Sequence, residues 1–256
     1  MRISTLVFDA YGTLYDVLSV AGRVKELCGD KGDLITALWR IKQLEYTWLS
    51  SLMDAYQDFW SVTRAALEFT LAGVGIEPQA ALCDRLMDSY LHLELYEEAL
   101  QALSALGDHK LAILSNGSPD MLDALIQSSG VADRFADVIS VDRVRHFKPD
   151  PACYALVEPA LGVSRQEVLF VSSNGFDVAG AKRFGFRVAW IERGGAHAPA
   201  DHAVVGPAEF YRMIRGRGEQ LGYPPDYRVR RLTDLAALVG ASAIGASAID
   251  PWQASQ

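Results

Sequence analysis

The chain has 256 residues, half of them hydrophobic, and a formal net charge of −8. Such a chain can bury a sizeable core, as one large domain or as a main domain with a smaller one, and a disordered chain is excluded. The acidic balance gives no basic field for nucleic acid, so small molecules or another protein are the expected partners. An anionic substrate would need locally placed Arg or Lys side chains.

Cysteine usage and hydropathy indicate a cytoplasmic protein. Cys28, Cys83 and Cys153 are widely spaced and form no CxxC pair, so neither a disulfide framework nor a zinc site is expected. No stretch approaches about 18 uninterrupted apolar residues, so neither a signal peptide nor a membrane span is expected. The five histidines show no ligand spacing, and no metal site is predicted.

Strand-like runs alternate with helical patterns along most of the chain. The five runs cover residues 6–8, 111–114, 138–139, 168–171 and 188–191. This alternation predicts an α/β fold, a Rossmann-like doubly wound parallel sheet with right-handed crossovers. Ser118, Pro119 and Asp120 predict the start of one crossover helix, and Gly130 predicts its end.

The segment between Asp9 and Leu111 is about a hundred residues without a strand signal, far more than one crossover needs. An inserted all-helical cap at residues 18–94 is therefore predicted, with helices at 33–53, 59–71 and 80–93. The α/β core would comprise residues 1–17 and 95–240, and residues 241–256 would form a C-terminal tail.

The C-terminal patterns are less informative. Residues 194–207 are rich in Gly, Ala and Pro and predict a loop, and the basic stretch 211–217 predicts a solvated face. Residues 231–238 predict a last helix that ends at Gly240.

Asp9 directly follows the first strand-like run, and the residue two places on is Tyr11 rather than a second acid. In an open parallel sheet a carboxylate at this position lies at the carboxyl edge, where ligands bind. From there it can attack carbon. Taken alone, it could also be an ordinary cap or turn residue.

Polar side chains also follow the later strands. They are Ser115, Asn116, Lys148, Ser172, Asn174 and Asp177. Because the carboxyl ends of parallel strands meet at one edge of a sheet, these groups are expected to lie near Asp9.

Five motifs together resemble the haloacid dehalogenase superfamily and, within it, the L-2-haloacid dehalogenase family. They are residues 8–17 (FDAYGTLYDV), 39–48 (WRIKQLEYTW), 115–117 (SNG), 148–154 (KPDPACY) and 172–177 (SSNGFD). The resemblance covers roughly residues 3–193 and implies the fold predicted above, activity without a cofactor, and a homodimer in which cap helices could form the interface.

The reaction that the resemblance implies is hydrolysis of short-chain L-2-haloacids to D-2-hydroxy acids and halide. Asp9 would attack C2 with inversion and form an aspartyl ester, which water would then cleave. Haloacetates, fluoroacetate included, are further candidate substrates. The ligands would be a small anionic 2-haloacid and halide, with no nucleic acid or membrane.

The resemblance also assigns roles around Asp9. Lys148 would hold Asp9 ionised by charge pairing, and Asp177 would position or activate the hydrolytic water. The alternative for Lys148 is a surface turn residue, and for Asp177 a helix N-cap. Hydrogen bonds to the carboxylates are expected from Thr13, Ser172 and Asn174. Ser115 would receive the substrate carboxylate, and Tyr154 would either steady this network or serve packing alone.

Arg40 is the candidate cation for the leaving halide. On a helical wheel it falls beside Ala37 and Leu44, at the border of the apolar stripe, so its head could enter the cleft between cap and core. A snorkelling surface arginine is the alternative. Asn116 and the positive ring edge of Phe176 could complete the halide site.

Three apolar side chains are expected to wall the substrate, although aromatic residues at such spacing also serve plain packing. They are Tyr11, Leu44 and Phe59. The family pattern is not matched everywhere: Phe176 stands where relatives often have Trp, Ile41 replaces a common polar residue, and residues 195–220 resemble an insertion. Pocket size and halide preference therefore stay open.

Two other functions are compatible with parts of the pattern. A magnesium-dependent phosphatase of the same fold needs an acid where Tyr11 stands and further carboxylates where Ser172 and Ser173 stand. A non-catalytic phosphoacceptor or binding module would use a similar Asp, Ser and Lys set, but it would not need a helical cap.

Overall fold

The computed structural model describes residues 2–193 and 205–243, and six parallel strands of these residues form one sheet in the order β3-β2-β1-β4-β5-β6. The strands are β1 Thr5–Phe8, β2 Lys110–Ser115, β3 Asp137–Ser140, β4 Val168–Ser172, β5 Arg187–Ile191 and β6 Tyr227–Val229. The predicted doubly wound parallel sheet is confirmed, and all five strand-like runs are strands.

The centre of the sheet explains the position of the candidate site. Val7 of β1 is in register with Ala112 of β2 on one side and Phe170 of β4 on the other. Both β1 and β4 are wholly buried, which accounts for their continuous apolar sequences. The strand order reverses at β1, and at such a switch point the loops diverge and leave a crevice at the carboxyl edge.

Helices cover the sheet and fill the long connection between β1 and β2. They are α1 Ala21–Cys28, α2 Gly32–Leu52, α3 Phe59–Gly73, α4 Ala80–Asp88, α5 Ala99–Ala105, α6 Pro119–Ser129, α7 Pro151–Ala155, α8 Val157–Leu161, α9 Gly175–Phe184, α10 Pro207–Arg215 and α11 Asp234–Ala243. In the connection α2 packs against both α1 and α3. The fold with helices inserted after β1 agrees with the prediction, while the exact cap bounds 18–94 stay a prediction.

Several local predictions need correction. The short edge strand β6 was not predicted, because its three residues are too few to show a period. The predicted helix at 80–93 ends at Asp88 and continues as a 3₁₀ turn, Ser89–Leu91. Ser118 occupies the N-cap of α6 but makes no side-chain capping bond, whereas Gly130 ends the helix with φ +68° as expected.

The region after β5 differs most from expectation. The predicted loop at 194–207 lies largely outside the described residues, and its last residue begins α10. The basic stretch 211–217 is not simply a solvated face, because α10 packs against α2 and buries Tyr211. The last helix, α11, extends past Gly240 to Ala243, and the rest of the predicted tail lies outside the described residues. Among the described residues, no helix has both the length and the apolar character required to cross a membrane.

Candidate active site

The loop after β1, the loop after β3 and the first turn of α9 bring two carboxylates onto one buried ammonium group. Lys148 Nζ lies 2.8 Å from Asp9 Oδ1 and 2.7 Å from Asp177 Oδ2, and it also donates to the Leu114 carbonyl over 3.1 Å. All three charged side chains are at least nine-tenths buried. Although burial opposes the charged form, attraction to Asp177 and Asp9 raises the pKa of Lys148. Lys148 is therefore a site cation and not a surface turn residue.

The second oxygen of Asp9 accepts two hydrogen bonds. Thr13 Oγ1 and Asn174 Nδ2 lie 2.9 Å and 2.8 Å from Asp9 Oδ2. The Asp9 backbone is fixed as well, because its N–H donates to the Val171 carbonyl of β4 over 2.9 Å. These contacts agree with the roles predicted for Thr13 and Asn174 and leave the carboxylate a single orientation.

Asp177 lies in the first turn of α9, and Asn174 occupies the N-cap position, so the N-cap alternative for Asp177 is wrong. Burial raises the pKa of Asp177 to about 6; Lys148 lowers it and Asp9 raises it further. The Tyr154 hydroxyl donates to Asp177 Oδ1 over 2.8 Å. Burial and the Asp177 charge raise the pKa of Tyr154, which keeps this donor protonated. Tyr154 thus contributes more than packing.

Two of the predicted serines contact the backbone. Ser172 Oγ accepts from the Asn174 N–H over 3.1 Å, so the expected contact between Ser172 and a carboxylate is replaced by support of the turn that carries Asn174. Ser115 Oγ accepts from the Gly117 N–H over 3.1 Å. A serine hydroxyl that accepts this bond still has its own proton to donate. Ser115 can therefore donate to a ligand.

Arg40 of α2 is 2% exposed, which rules out a snorkelling surface arginine. Its guanidinium donates to the side-chain oxygen of Gln43, and Gln43 Nε2 donates to Thr63 Oγ1 over 2.5 Å. Although burial opposes its charge, neighbouring Tyr211 and Asp9 are among the groups that raise the pKa of Arg40. Arg40 Nε is buried and has no hydrogen-bond partner among the described residues, so it remains available to a ligand.

Aromatic residues enclose the crevice on the cap side. The rings of Tyr11 and Phe59 lie 5.3 Å apart, and those of Trp48 and Phe176 also lie 5.3 Å apart with their planes nearly perpendicular. Leu44 is buried as well. The Tyr11 hydroxyl is buried without a hydrogen-bond partner in the described part of the chain. Burial raises the pKa of Tyr11, which therefore stays a neutral donor.

The side chain of Asn116 is held by the backbone of Lys148. Its Oδ1 accepts the Lys148 backbone N–H over 2.9 Å, which leaves the amide nitrogen as its remaining donor. This orientation is compatible with the predicted role of Asn116 toward an anion.

Three further residues contribute to the site. Gln43 is three residues after Arg40 on the same helix, so helical spacing could have indicated it. The Ser173 N–H donates to Thr13 Oγ1 over 2.9 Å, and its adjacency to Ser172 was the available signal. Tyr211 lies about 170 residues from Arg40 in the chain, and local sequence carries no signal for that pairing.

The carboxylates of the site are already paired and are not free to bind a metal ion. The two carboxylates that a divalent cation would use, Asp9 and Asp177, are both bound by Lys148. Within residues 2–193 and 205–243 no cluster of three His, Cys, Asp or Glu side chains has the geometry to hold an ion. Lys148 thus supplies the positive charge between the carboxylates.

Comparison with known proteins agrees with this geometry. A family model described as haloacid dehalogenase-like hydrolase matches residues 3–185. The chain belongs to this family of hydrolases. The (S)-2-haloacid dehalogenase of Xanthobacter autotrophicus is 50% identical over 240 residues, which are 93% of this chain and 95% of that protein. Haloacetate dehalogenase H-2 of Moraxella sp. (strain B) is 45% identical over 196 residues, 76% of this chain and 88% of that protein.

The three-dimensional comparison is equally specific. The structure of L-2-haloacid dehalogenase from Xanthobacter autotrophicus with chloropropionic acid covalently bound matches with a TM-score of 0.90 and 49% identity, and the match covers 93% of this chain and 99% of that one. The resemblance to the L-2-haloacid dehalogenases is therefore confirmed.

Proposed function

We propose that this protein hydrolyses the carbon–halogen bond of short L-2-haloacids to give D-2-hydroxy acids and halide. The observation that carries the proposal is the buried Asp9, held by Lys148 and followed two residues later by Tyr11, which cannot protonate a leaving phosphate oxygen. The covalently bound chloropropionic acid of the Xanthobacter relative supports attack by a protein group on the substrate carbon.

The hydrogen bonds of Asp9 indicate which oxygen attacks. Oδ2 accepts from Thr13 and Asn174, whereas Oδ1 accepts only from Lys148 among the described residues. A carboxylate oxygen has about two lone-pair sites, so Oδ1 keeps one free. The free lone pair of Oδ1 forms the bond to C2 while the C2–halogen bond breaks. The halide leaves from the opposite face with the bonding electrons, and the configuration at C2 is inverted.

The leaving halide needs donors in a desolvated site. Arg40 Nε and the Tyr11 hydroxyl are two buried donors without partners among the described residues, and both lie near Asp9. A buried donor without a partner costs roughly 1–3 kcal/mol, which binding of an anion recovers. The Phe176 edge and the Asn116 amide supply the weaker contacts.

Water completes the reaction at the ester formed by Asp9. After alkylation Oδ2 is the carbonyl oxygen, and its donors Thr13 and Asn174 stabilise the negative charge that develops there. Asp177 takes one proton of the attacking water, whose oxygen bonds to Cγ, and returns a proton to Oδ1 as the Cγ–Oδ1 bond breaks. The hydroxy acid leaves with Oδ1, and the carboxyl group of Asp9 is restored with one oxygen from water. The substrate carboxylate binds at Ser115 and at the N-terminus of α6, which begins four residues later.

The experiment is chloride release from each enantiomer of 2-chloropropionate, beside phosphate release from an aryl phosphate with and without Mg²⁺. We expect chloride from the L enantiomer and D-lactate as product. A single turnover in H₂¹⁸O should give lactate without label, because its oxygen comes from Asp9. Asp9→Asn, verified by mass spectrometry as free of deamidation, should be inactive. Phosphate release without chloride release would overturn the proposal.

A homodimer is supported by an apolar surface formed by α2 and α10. Its exposed members are Leu34, Leu38, Leu49 and Leu52 of α2 and Phe210, Met213 and Ile214 of α10. On each helix they lie on one face, and the two helices pack together. Exposed apolar patches of this kind mark protein interfaces, and the partner we propose is a second copy. Light scattering should show a dimer that Leu52→Asp dissociates and Leu221→Asp, an exposed apolar control outside both helices, does not.

The proposed location is the cytoplasm. All three cysteines are free thiols, as expected for a protein that works in a reducing compartment. Growth of the native host on a 2-haloacid, followed by fractionation and immunoblotting, tests this location.

A further inference from the structure

A cavity of about 150 Å³ lies beside the candidate active site, between α10 and the loop that follows β1. Its polar lining includes Asp16, Tyr96, Arg193, Tyr211, Arg212 and Arg215. A single buried water needs roughly 15 Å³ of such space, so the cavity has room for an anion together with several waters. The lining thus holds three arginines and one acidic residue.

The one carboxylate is already engaged. Asp16 Oδ1 accepts from the Leu18 N–H over 2.9 Å and from the Tyr96 hydroxyl over 3.5 Å. Arg193 has a partner of its own outside the cavity lining, because it pairs with Glu98 over 3.0 Å and donates to the Thr13 carbonyl over 2.7 Å. The Nε of Arg193 is nevertheless buried without a hydrogen-bond partner in the described part of the chain.

Arg215 is a half-buried cation of this lining. Its guanidinium lies 5.2 Å from the centre of the Trp48 ring, and its Nε is buried without a hydrogen-bond partner among residues 2–193 and 205–243. No carboxylate of the described chain lies within 4.0 Å of it. Burial and the charge of Arg40 lower the pKa of Arg215, and this effect exceeds the opposing influence of Tyr211 and of the Glu219 carboxylate. A desolvated guanidinium in this position favours binding of an anion.

The cavity adjoins the groups that handle substrate. Asn174 lines it and also donates to Asp9 Oδ2. Tyr211 lines it and is a neighbour of Arg40. Tyr211 is therefore the side chain that links the cavity to the cation of the halide site.

We propose that this cavity is a second anion site. It binds a small monovalent anion that moves between the cavity and the Arg40 site. The identification of this anion as halide rests on the proposed function. A short-chain carboxylate, such as the 2-hydroxy acid product, is the other anion that would bind in the same way. Arg215 and Arg193 bind the anion, and α10 gives the protein a place for product ions outside the reaction centre.

The experiment is crystallography of the full chain soaked in bromide, with anomalous scattering to locate the ion. We expect one bromide at Arg40 and a second in the cavity, near Arg215. Arg215→Gln should weaken bromide binding in the cavity by about tenfold or more, since a hydrogen bond to a charged group is lost. Arg215→Lys, which keeps the charge, should retain it. Arg217→Gln removes the same charge from an exposed position outside the lining and should leave both bromides in place.

The wild-type crystal alone can overturn the proposal, because a bromide at Arg40 with none in the cavity contradicts it whatever the variants do. Equal cavity occupancy in wild type and Arg215→Gln would also contradict it. Parallel soaks in lactate distinguish the sources: lactate in the cavity assigns the carboxylate, and bromide alone assigns the halide. Failure of the proposed function has a different signature, namely no chloride release from 2-chloropropionate while bromide still fills the cavity.

Discussion

Arg40 donates to the side-chain oxygen of Gln43, three residues further along α2, and both side chains are buried. Gln43 in turn donates to Thr63, whose hydroxyl donates to the Phe59 carbonyl over 2.6 Å. This chain of bonds ties the guanidinium of Arg40 to α3. The group is therefore held in place although its Nε has no hydrogen-bond partner among the described residues.

Gln43→Leu keeps the volume of the side chain and removes this support. We expect kcat/KM for 2-chloropropionate to fall by about 10- to 100-fold, because the guanidinium of Arg40 loses the bond that positions it for the leaving halide and a misplaced group can cost about 100-fold in rate. The loss should be smaller for 2-bromopropionate, whose leaving group needs less stabilisation. An equal loss for both substrates would indicate a structural role only. Lys42→Ala on the same helix, which removes an ion pair with Glu45 at the surface, is the control.

Asp177→Asn should separate the two chemical steps. The variant retains Asp9 and Lys148 for alkylation but cannot take a proton from water. We expect a burst of halide equal to the enzyme concentration, an aspartyl ester visible by intact mass, and a kcat lowered by about 100-fold or more. Absence of the burst, in a protein whose circular dichroism is unchanged, would assign Asp177 to the first step instead.

The pH dependence of the second step should follow Asp177. Its pKa is raised to about 6 by burial, and the base is active only when ionised. In the ester Asp9 carries no charge and no longer raises the pKa of Asp177, so the midpoint of ester hydrolysis should lie below pH 6. The rate should be independent of pH well above that midpoint and fall tenfold per pH unit well below it. Rapid-quench measurement of ester decay from pH 4.5 to 8 gives the midpoint.

Tyr154→Phe should move that midpoint upward. The Tyr154 hydroxyl donates to Asp177 Oδ1 and lowers the pKa of Asp177, so loss of the bond favours the protonated acid. A lower rate with an unmoved midpoint would mean that Tyr154 acts through packing alone. Tyr46→Phe, a cap substitution away from the Asp9 and Asp177 cluster, is the matched control.

Local sequence was sufficient for the sheet centre and the polar strand ends, since burial on both faces leaves continuous apolar runs and a parallel sheet brings its carboxyl ends together. That placement predicts that Asp9, Lys148 and Asn174 lie close together, whereas the roles predicted for them and for Thr13 came from the family resemblance. Ser172 and Tyr211 were misjudged for a common reason. Whether Ser172 binds a side chain or the backbone depends on the turn, and the burial of Tyr211 depends on how α10 docks on α2. Both are tertiary features that no local period encodes.

Gly180 tests the close packing of α9 against the segment that carries Tyr154. A Cβ at this position would lie 2.5 Å from the Tyr154 hydroxyl and 2.6 Å from Pro149 Cβ. Replacing Gly by Ala within a helix normally stabilises a protein by roughly 0.5–1 kcal/mol. Here the contact with Pro149 forces a shift, and overpacking of this kind costs about 1–3 kcal/mol, so Gly180→Ala should be destabilising. Gly240→Ala in α11, where the added Cβ meets nothing within 4 Å, should be stabilising. Urea unfolding of both variants measures the two signs, and a stabilised Gly180→Ala would show that α9 and α7 are less tightly packed than these distances require.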